Sequence, residues 1–175
     1  MRNYFLFGLV FLFISSCVRV ADVQINEPVD GLRPVYAIGS WQEISITTPK
    51  PIDYLGKIYY KDDTIYAVEQ YKGIHIIDNS DPTNPTQIAF LEIIGVRDLA
   101  IKGDILYADN ATDLVSLDIS DIENPKLLSR VEDLYPNLDQ GFPQGYEGAF
   151  ECVDESKGLI IGWEPATLEN PSCWR

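Results

Sequence analysis

The stretch "HIIDNSDPTNP" (residues 75–85) returns forty residues later as "VSLDISDIENP" (residues 115–125). Ile77, Asp78, Ser80, Asp81, Asn84 and Pro85 correspond to Leu117, Asp118, Ser120, Asp121, Asn124 and Pro125, all at an offset of 40. Upstream, "TIYA" (residues 64–67) returns as "ILYA" (residues 105–108) at an offset of 41. The additional residue falls between "EQYKG" and "NATD", where a hairpin loop absorbs it. The repeated unit is therefore longer than one turn, and internal repetition at this period decides the architecture before any single residue does.

Each unit divides into four strand-like segments. In the first they are "GKIYYK", "TIYAVEQ", "GIHIID" and "TQIAFLEI"; in the second, "RDLAIK", "ILYADN", "DLVSLDI" and "KLLSRVE". The separators ("DD", "YKG", "NSDPTNP", "GD", "NATD", "SDIENP") are rich in turn formers. No segment carries a 3.6-residue apolar period over ten residues, which disfavours helix. Four short strands recurring every ~40 residues is the pattern of a β-propeller blade. The acids of the quoted stretch then read as structural. Asp78 and Asp118 end the third strand of each unit, and Asp81 and Asp121 are placed to accept backbone N–H bonds two residues on. Pro82, Pro85 and Pro125 fix φ where the chain leaves the sheet. A calcium loop is the competing reading, but the glycine and terminal bidentate Glu of an EF-hand are missing.

These residues resemble the LVIVD repeat, a pentapeptide ending in Asp before a Ser-Asp-Pro-x-Asn-Pro turn. "IHIID" with "NSDPTNP" and "LVSLD" with "ISDIENP" carry the likeness over roughly residues 55–132. The second copy departs at Ile122, where the family prefers Pro. The resemblance implies a propeller-like bacterial surface protein, in many cases a lipoprotein, with no assigned activity; it bears on fold more than on function.

The period fails after the second unit. "LYPNLDQGFPQGYEG" (residues 134–148) holds too many Pro and Gly residues for a strand. Strand-like text resumes at "AFECVD" and "GLIIGWE", and "PATLENPSCWR" echoes the Asn-Pro of the turn. Before the first unit, "PVYAI" and "WQEISIT" offer one or two strands. The expected fold is all-β: antiparallel four-stranded blades of a partial or open propeller, about two of them full, with partial blades at the ends of a domain spanning 35–175. Open blade edges invite pairing. The N-terminal segment, the long loop and a tied C-terminal tail are candidate caps, and a homo-oligomer through open edges is the alternative.

The N-terminus reads as a targeting segment. "MRN" is basic, and "YFLFGLVFLFI" (residues 4–14) is an apolar run too short for the ~20 residues that span a bilayer. "ISSC" then resembles the bacterial lipobox, which implies a signal peptide over 1–16, a lipidated Cys17 and a tether over 17–34. Acylation of Cys17 supplies a membrane anchor. Val18, rather than an acid, follows it, which by the usual sorting rule favours the outer membrane of a Gram-negative cell. Cys152 and Cys173 remain as a pair that forms a disulfide in an oxidising compartment.

Acids outnumber bases 27 to 13 for a formal charge of −14, which argues against nucleic acid or anionic lipid headgroups as partners. His75 is the only histidine and lies within a strand, so it reads as a packed residue. No P-loop, HExxH or dinucleotide pattern occurs, and no cofactor or metal site is indicated. Glu147, Glu151, Asp154 and Glu155 form an acid cluster that glycoside hydrolysis would require, although solvated acids are far commoner. Tyr66 and Tyr107 are repeat equivalents and read as blade packing. Tyr135, Phe142, Tyr146 and Trp163 flank the long irregular loop and form a candidate binding loop, since long loops on rigid scaffolds carry function. The expectation is a non-catalytic envelope lipoprotein serving as scaffold or binding module for an envelope protein or a glycan. A carbohydrate-active enzyme and a calcium-dependent adhesin are the alternatives.

Overall fold

The computed structural model describes residues 27–135 and 141–175. Cys17 and the expected signal segment lie outside the described residues, as do 136–140 of the long loop. Within them the chain forms three sheets. The first blade orders β2 (Ser45–Thr47), β6 (Thr86–Glu92), β5 (Gly73–Asp78), β4 (Thr64–Glu69) and β3 (Leu55–Lys61). The second orders β10 (Lys126–Val131), β9 (Asp113–Asp118), β8 (Ile105–Asn110) and β7 (Leu99–Lys102). Each blade is a meander of adjacent antiparallel hairpins, so the two repeat units are two blades; β2 adds a fifth strand to the first.

The change of offset from 41 to 40 has a local cause. In the first blade Glu69 pairs with Gly73 and leaves three loop residues; in the second Asn110 pairs with Asp113 and leaves two. The long turns are superposable in their bonding. Asp78 accepts the Ser80 N–H and Asp118 accepts the Ser120 N–H, both at 2.9 Å. Asp81 accepts from the Thr83 N–H at 3.0 Å and Asp121 from the Glu123 N–H at 3.2 Å. The same equivalence joins the first hairpin turn to the end of the third strand: Asn79 N–H donates to the Asp63 carbonyl (2.7 Å) and Ile119 N–H to that of Asp104 (2.8 Å).

Blade one stacks face to face on blade two. Strand alternation puts Tyr66, Val68, Ile74, Ile76 and Leu91 on one face of the first blade, here called its front. They bury against Leu99, Ile101, Leu106, Ala108, Val115 and Leu117 on the back of the second. The Tyr59 hydroxyl crosses the seam to the Ile101 carbonyl at 3.0 Å. A strap, residues 48–54, crosses the back of blade one over Phe90, His75 and Glu69, while Ile58 and Tyr60 on the same face stay exposed. Lys50 sits over the Phe90 ring at 4.8 Å, and Glu69 accepts the N–H groups of Asp53 (3.1 Å) and Tyr54 (2.6 Å).

The end segments, expected as separate partial blades, meet in one sheet ordered β12 (Ile160–Leu168), β1 (Val29–Tyr36), β11 (Ala149–Phe150) and β13 (Cys173–Trp174). β1 starts at Val29, ahead of the expected boundary at 35 and within the stretch read as tether. Pro34 is tolerated there for a definite reason. The Leu32 carbonyl accepts the Glu151 N–H, so residues 32 and 34 turn their backbone groups toward β11. β11 has already ended at Phe150, and no ladder bond is lost. A disulfide joins Cys152 to Cys173, with Cα atoms 5.3 Å apart, and fixes the tail beside β11. A single 3₁₀ turn, Glu155–Lys157, precedes β12 among the described residues.

This third sheet does not stack on a blade face. It docks on the loops at the hairpin ends of both blades. Ala37, Ala111 and Ile161 bury there with Val35, Trp41, Tyr71, Ile94 and Leu159. Tyr71 and Ala111 are repeat equivalents, both at positive φ (66° and 54°). For a bulky residue this is strained. Tyr71 is held by two backbone bonds of 2.8 Å, from its N–H to the Val96 carbonyl and from the Gly95 N–H to its own carbonyl. Its ring fills the space over Gly162, where a Cβ would stand 2.2 Å from ring carbons.

Two outcomes follow from this geometry. Gly162→Ala clashes with the Tyr71 ring and lowers stability by about 1–3 kcal/mol; in a Tyr71→Ala background the same change is nearly silent, a coupling that a thermal-denaturation double-mutant cycle measures. The second concerns acid. Backbone N–H bonds to the ionised form hold the carboxyls of Asp78 and Asp118 below the ordinary 3.8, and the side-chain and backbone bonds from Thr83 do the same for Asp81. A depressed folded value contributes stability that is present above 3.8 and lost as pH falls through the folded value. Asp78→Asn with Asp118→Asn flattens the fall of melting temperature below pH 3.8, followed by circular dichroism.

Candidate functional site

The back of blade one has its strap over Phe90 and His75, and the inner faces have each other. The front of blade two is the face on which a following blade would stack, and its residues differ from their blade-one equivalents. In blade one the front rows are Tyr59–Tyr66–Ile76–Ala89 and Val68–Ile74–Leu91. The matching rows in blade two are Ala100–Tyr107–Ser116–Ser129 and Asp109–Leu114–Val131. Ile76 has become Ser116, Val68 has become Asp109, and Ala89 has become Ser129. An apolar stacking surface has been exchanged for a mixed polar one.

A cleft of about 650 Å³ opens at the corner of this face beside the start of β7. It is lined by Lys57, Arg97, Asp98, Tyr107, Asp109 and Tyr135, with Leu99, Ala100, Ala108 and Leu114 as its apolar floor. Asp109 is its organiser. The buried carboxylate accepts the backbone N–H groups of Arg97 and Asp98, both at 2.9 Å, and the Arg97 Nε at 3.0 Å. Asp98 accepts the N–H of Leu99 (2.7 Å) and pairs with Lys57 Nζ (3.3 Å), which reaches across from β3 of blade one. The Tyr135 N–H is anchored to the Thr112 carbonyl at 2.8 Å, which seats the beginning of the long loop at the rim.

Blade one uses Glu69 as blade two uses Asp109: each carboxylate accepts two successive backbone N–H groups just ahead of the first strand of its blade. Burial by itself would raise the Glu69 carboxyl. The bonds from His75, Asp53 and Tyr54 and the nearby Lys72 outweigh it and hold the group below its ordinary value. His75 is fully buried, with Nε2 3.1 Å from Glu69 Oε2 and its ring 4.9 Å from that of Phe90. Its Nδ1 is the one buried side-chain polar atom without a partner among the described residues. Nearby, Arg130 donates to Asn110 and Asp113 (both 2.7 Å) and to the Gln42 carbonyl (2.7 Å), tying the loop after β1 to the second blade.

The four aromatics expected as a binding loop are not brought together. Tyr135 borders the cleft. The Phe142 ring lies under the Arg175 guanidinium at 4.1 Å, and the Tyr146 hydroxyl fills the space beside Gly148. Trp163 packs edge-on against Phe150 at 5.6 Å within the third sheet. Of the acid cluster, Glu151 pairs with Lys157 (3.6 Å), Asp154 caps the 3₁₀ turn through the Ser156 N–H (3.0 Å), and Glu147 and Glu155 are exposed. Among the described residues no group of three His, Cys, Asp or Glu side chains is placed to hold a metal ion. Also among them, no helix is long and apolar enough to cross a membrane.

Sequence reasoning took Tyr107 as packing and passed over Lys57, Arg97, Asp98 and Asp109. The signal was present in the repeat itself: aligned copies show Asp109 and Ser116 standing where the first copy has Val68 and Ile76.

The LVIVD repeat matches residues 61–89 and 95–133, so the chain carries two LVIVD repeats, one in each blade. No curated protein and no solved structure matches the chain.

Replacing Asp109 by Ala leaves two buried N–H groups without an acceptor. The expected loss is about 1–3 kcal/mol in denaturant unfolding, accompanied by faster hydrogen exchange at the start of β7 than anywhere else in blade two.

Proposed function

We propose that this chain is a non-catalytic binding module of a bacterial cell envelope, tethered to the membrane by a lipid on Cys17, with the front of blade two as its binding surface. One observation carries the reading. The face that repeat stacking would keep apolar has instead been given Asp109, Ser116 and Ser129 and a cleft, while the equivalent face of blade one is apolar and packed against blade two. Repeat arrays need their end faces made polar. A bare solubility cap, however, requires no cleft with a carboxylate-organised guanidinium and two tyrosines at its wall. The "ISSC" motif directly after an apolar run supports the lipid anchor, and Val18 supports the outer membrane. The partner is an envelope protein or a glycan.

Two measurements test this. Cells fed a clickable palmitate analogue should label the full chain and not its Cys17→Ala variant; equal labelling of both removes the anchor. Affinity capture from cell envelopes should recover a reproducible partner that is lost with Ser116→Arg, which projects a bulky cation from the middle of the front face. A partner retained by that variant removes the face from the function.

A further inference from the structure

We infer that the cleft on blade two takes a neutral oligosaccharide, an inference that rests on the front of blade two being the binding surface. The first argument is charge. The chain carries a net −14, yet the cleft lining is balanced, with two cations against two anions, each cation held by an anion. Lys57 Nζ lies 3.3 Å from Asp98 Oδ1, and Arg97 Nε lies 3.0 Å from Asp109 Oδ2. An anionic ligand at the Arg97 guanidinium would lie beside the Asp109 and Asp98 carboxylates and would meet the field of a strongly acidic protein. A cationic ligand would compete with Lys57 for Asp98. A ligand without charge pays neither penalty.

The second argument is the hydrogen-bonding inventory. Arg97 commits its Nε and its backbone N–H to Asp109, which locks the guanidinium plane and leaves its Nη groups to donate into the cleft. Asp98 uses Oδ1 for the Leu99 N–H and for Lys57, which leaves Oδ2 as an acceptor. Fixed donors and acceptors side by side match vicinal hydroxyls, each of which both donates and accepts. Tyr107 and Tyr135, with Leu114, supply the apolar and aromatic surface on which the C–H face of a sugar ring rests.

The third argument removes the main competitor. A peptide bound by strand addition needs an open edge with free backbone groups. The nearest edge is β7, and its outward Ile101 carbonyl already accepts the Tyr59 hydroxyl at 3.0 Å. β7 therefore offers a peptide no continuous ladder, whereas the cleft offers side chains, which is how sugars are read.

The test applies the full chain in detergent micelles to an array of neutral and acidic glycans, followed by calorimetry on the neutral oligosaccharide retained. Tyr135 is exposed, so its variants leave the fold intact. Tyr135→Ala should weaken binding about tenfold or more, equivalent to at least ~1.4 kcal/mol, while Tyr135→Phe, which keeps the ring, binds within about twofold of the parent. Affinity should stay flat over a roughly tenfold range of salt, because no ion pair forms with the ligand. Retention of acidic glycans alone, a steep salt dependence, or equal binding by Tyr135→Ala would overturn the inference. If no glycan is retained but an envelope protein is still captured and lost with Ser116→Arg, the ligand class fails while the binding face stands. Loss of both removes the two readings together.

Discussion

A blade has two faces, and each must be buried, covered or made polar. That constraint organises this molecule, and the two blades present four faces that are handled in three ways. Two bury one another in a seam of Val, Ile and Leu side chains. The back of blade one keeps its apolar rows and is covered over Phe90 and His75 by the strap, which Glu69 holds through two backbone N–H groups. The front of blade two is altered in composition, with Ser and Asp at rows that are Ile, Ala and Val in blade one. The two remedies have different consequences. The strap closes over His75 and Glu69 and leaves them without contact with solvent. A polarised face stays open, and there charged side chains, aromatic rings and empty space coincide.

What the sequence disclosed was local. The hairpins of each repeat unit and the Asp-turn bonds depend on residues close in the chain, and turn chemistry is carried by residue type: Asp78 and Asp118 bond two residues ahead whatever the rest of the chain does. What it concealed was distant. β1 pairs with β12 across more than a hundred residues, and β1 contains Gly31, Pro34 and Asp30, residues that argue against a strand on propensity. Gly31 is used because its missing side chain lets the Ala149 carbonyl approach within 2.5 Å of where a Cβ would sit. The aromatics around the long loop are likewise placed by contacts between distant residues. Sequence proximity to one irregular segment suggested one platform, but Trp163 and Phe142 are drawn to separate partners once the third sheet forms.

The third sheet shows how hairpin turns can serve as a docking surface. Tyr71 and Ala111 occupy equivalent left-handed positions in the two blades, so the repeat presents one projecting ring and one small residue side by side. The ring meets Gly162, and the small residue leaves room for Ala37 and Ile161. Where two turns of equal size would leave a gap or a clash, a large and a small one accept a flat sheet. The strained backbone at Tyr71 is thus maintained by its bond to the Val96 carbonyl and the bond from the Gly95 N–H on one side and by packing on the other.

The same logic of paired but unequal copies explains the cleft. Glu69 and Asp109 both clamp the chain just ahead of the first strand of their blades, but from neighbouring register positions, since Glu69 corresponds to Asn110 and Asp109 to Val68. The one-residue displacement moves the carboxylate across the sheet, because successive side chains point to opposite faces. In blade one the acid therefore lies on the back, beneath the strap, where it takes the His75 ring as a further partner. In blade two it lies on the front, where it takes the Arg97 guanidinium. A structural clamp shifted by one position has become the organiser of an open cleft, and that shift accounts for why the two repeats are alike in fold and unlike in what they present to solvent.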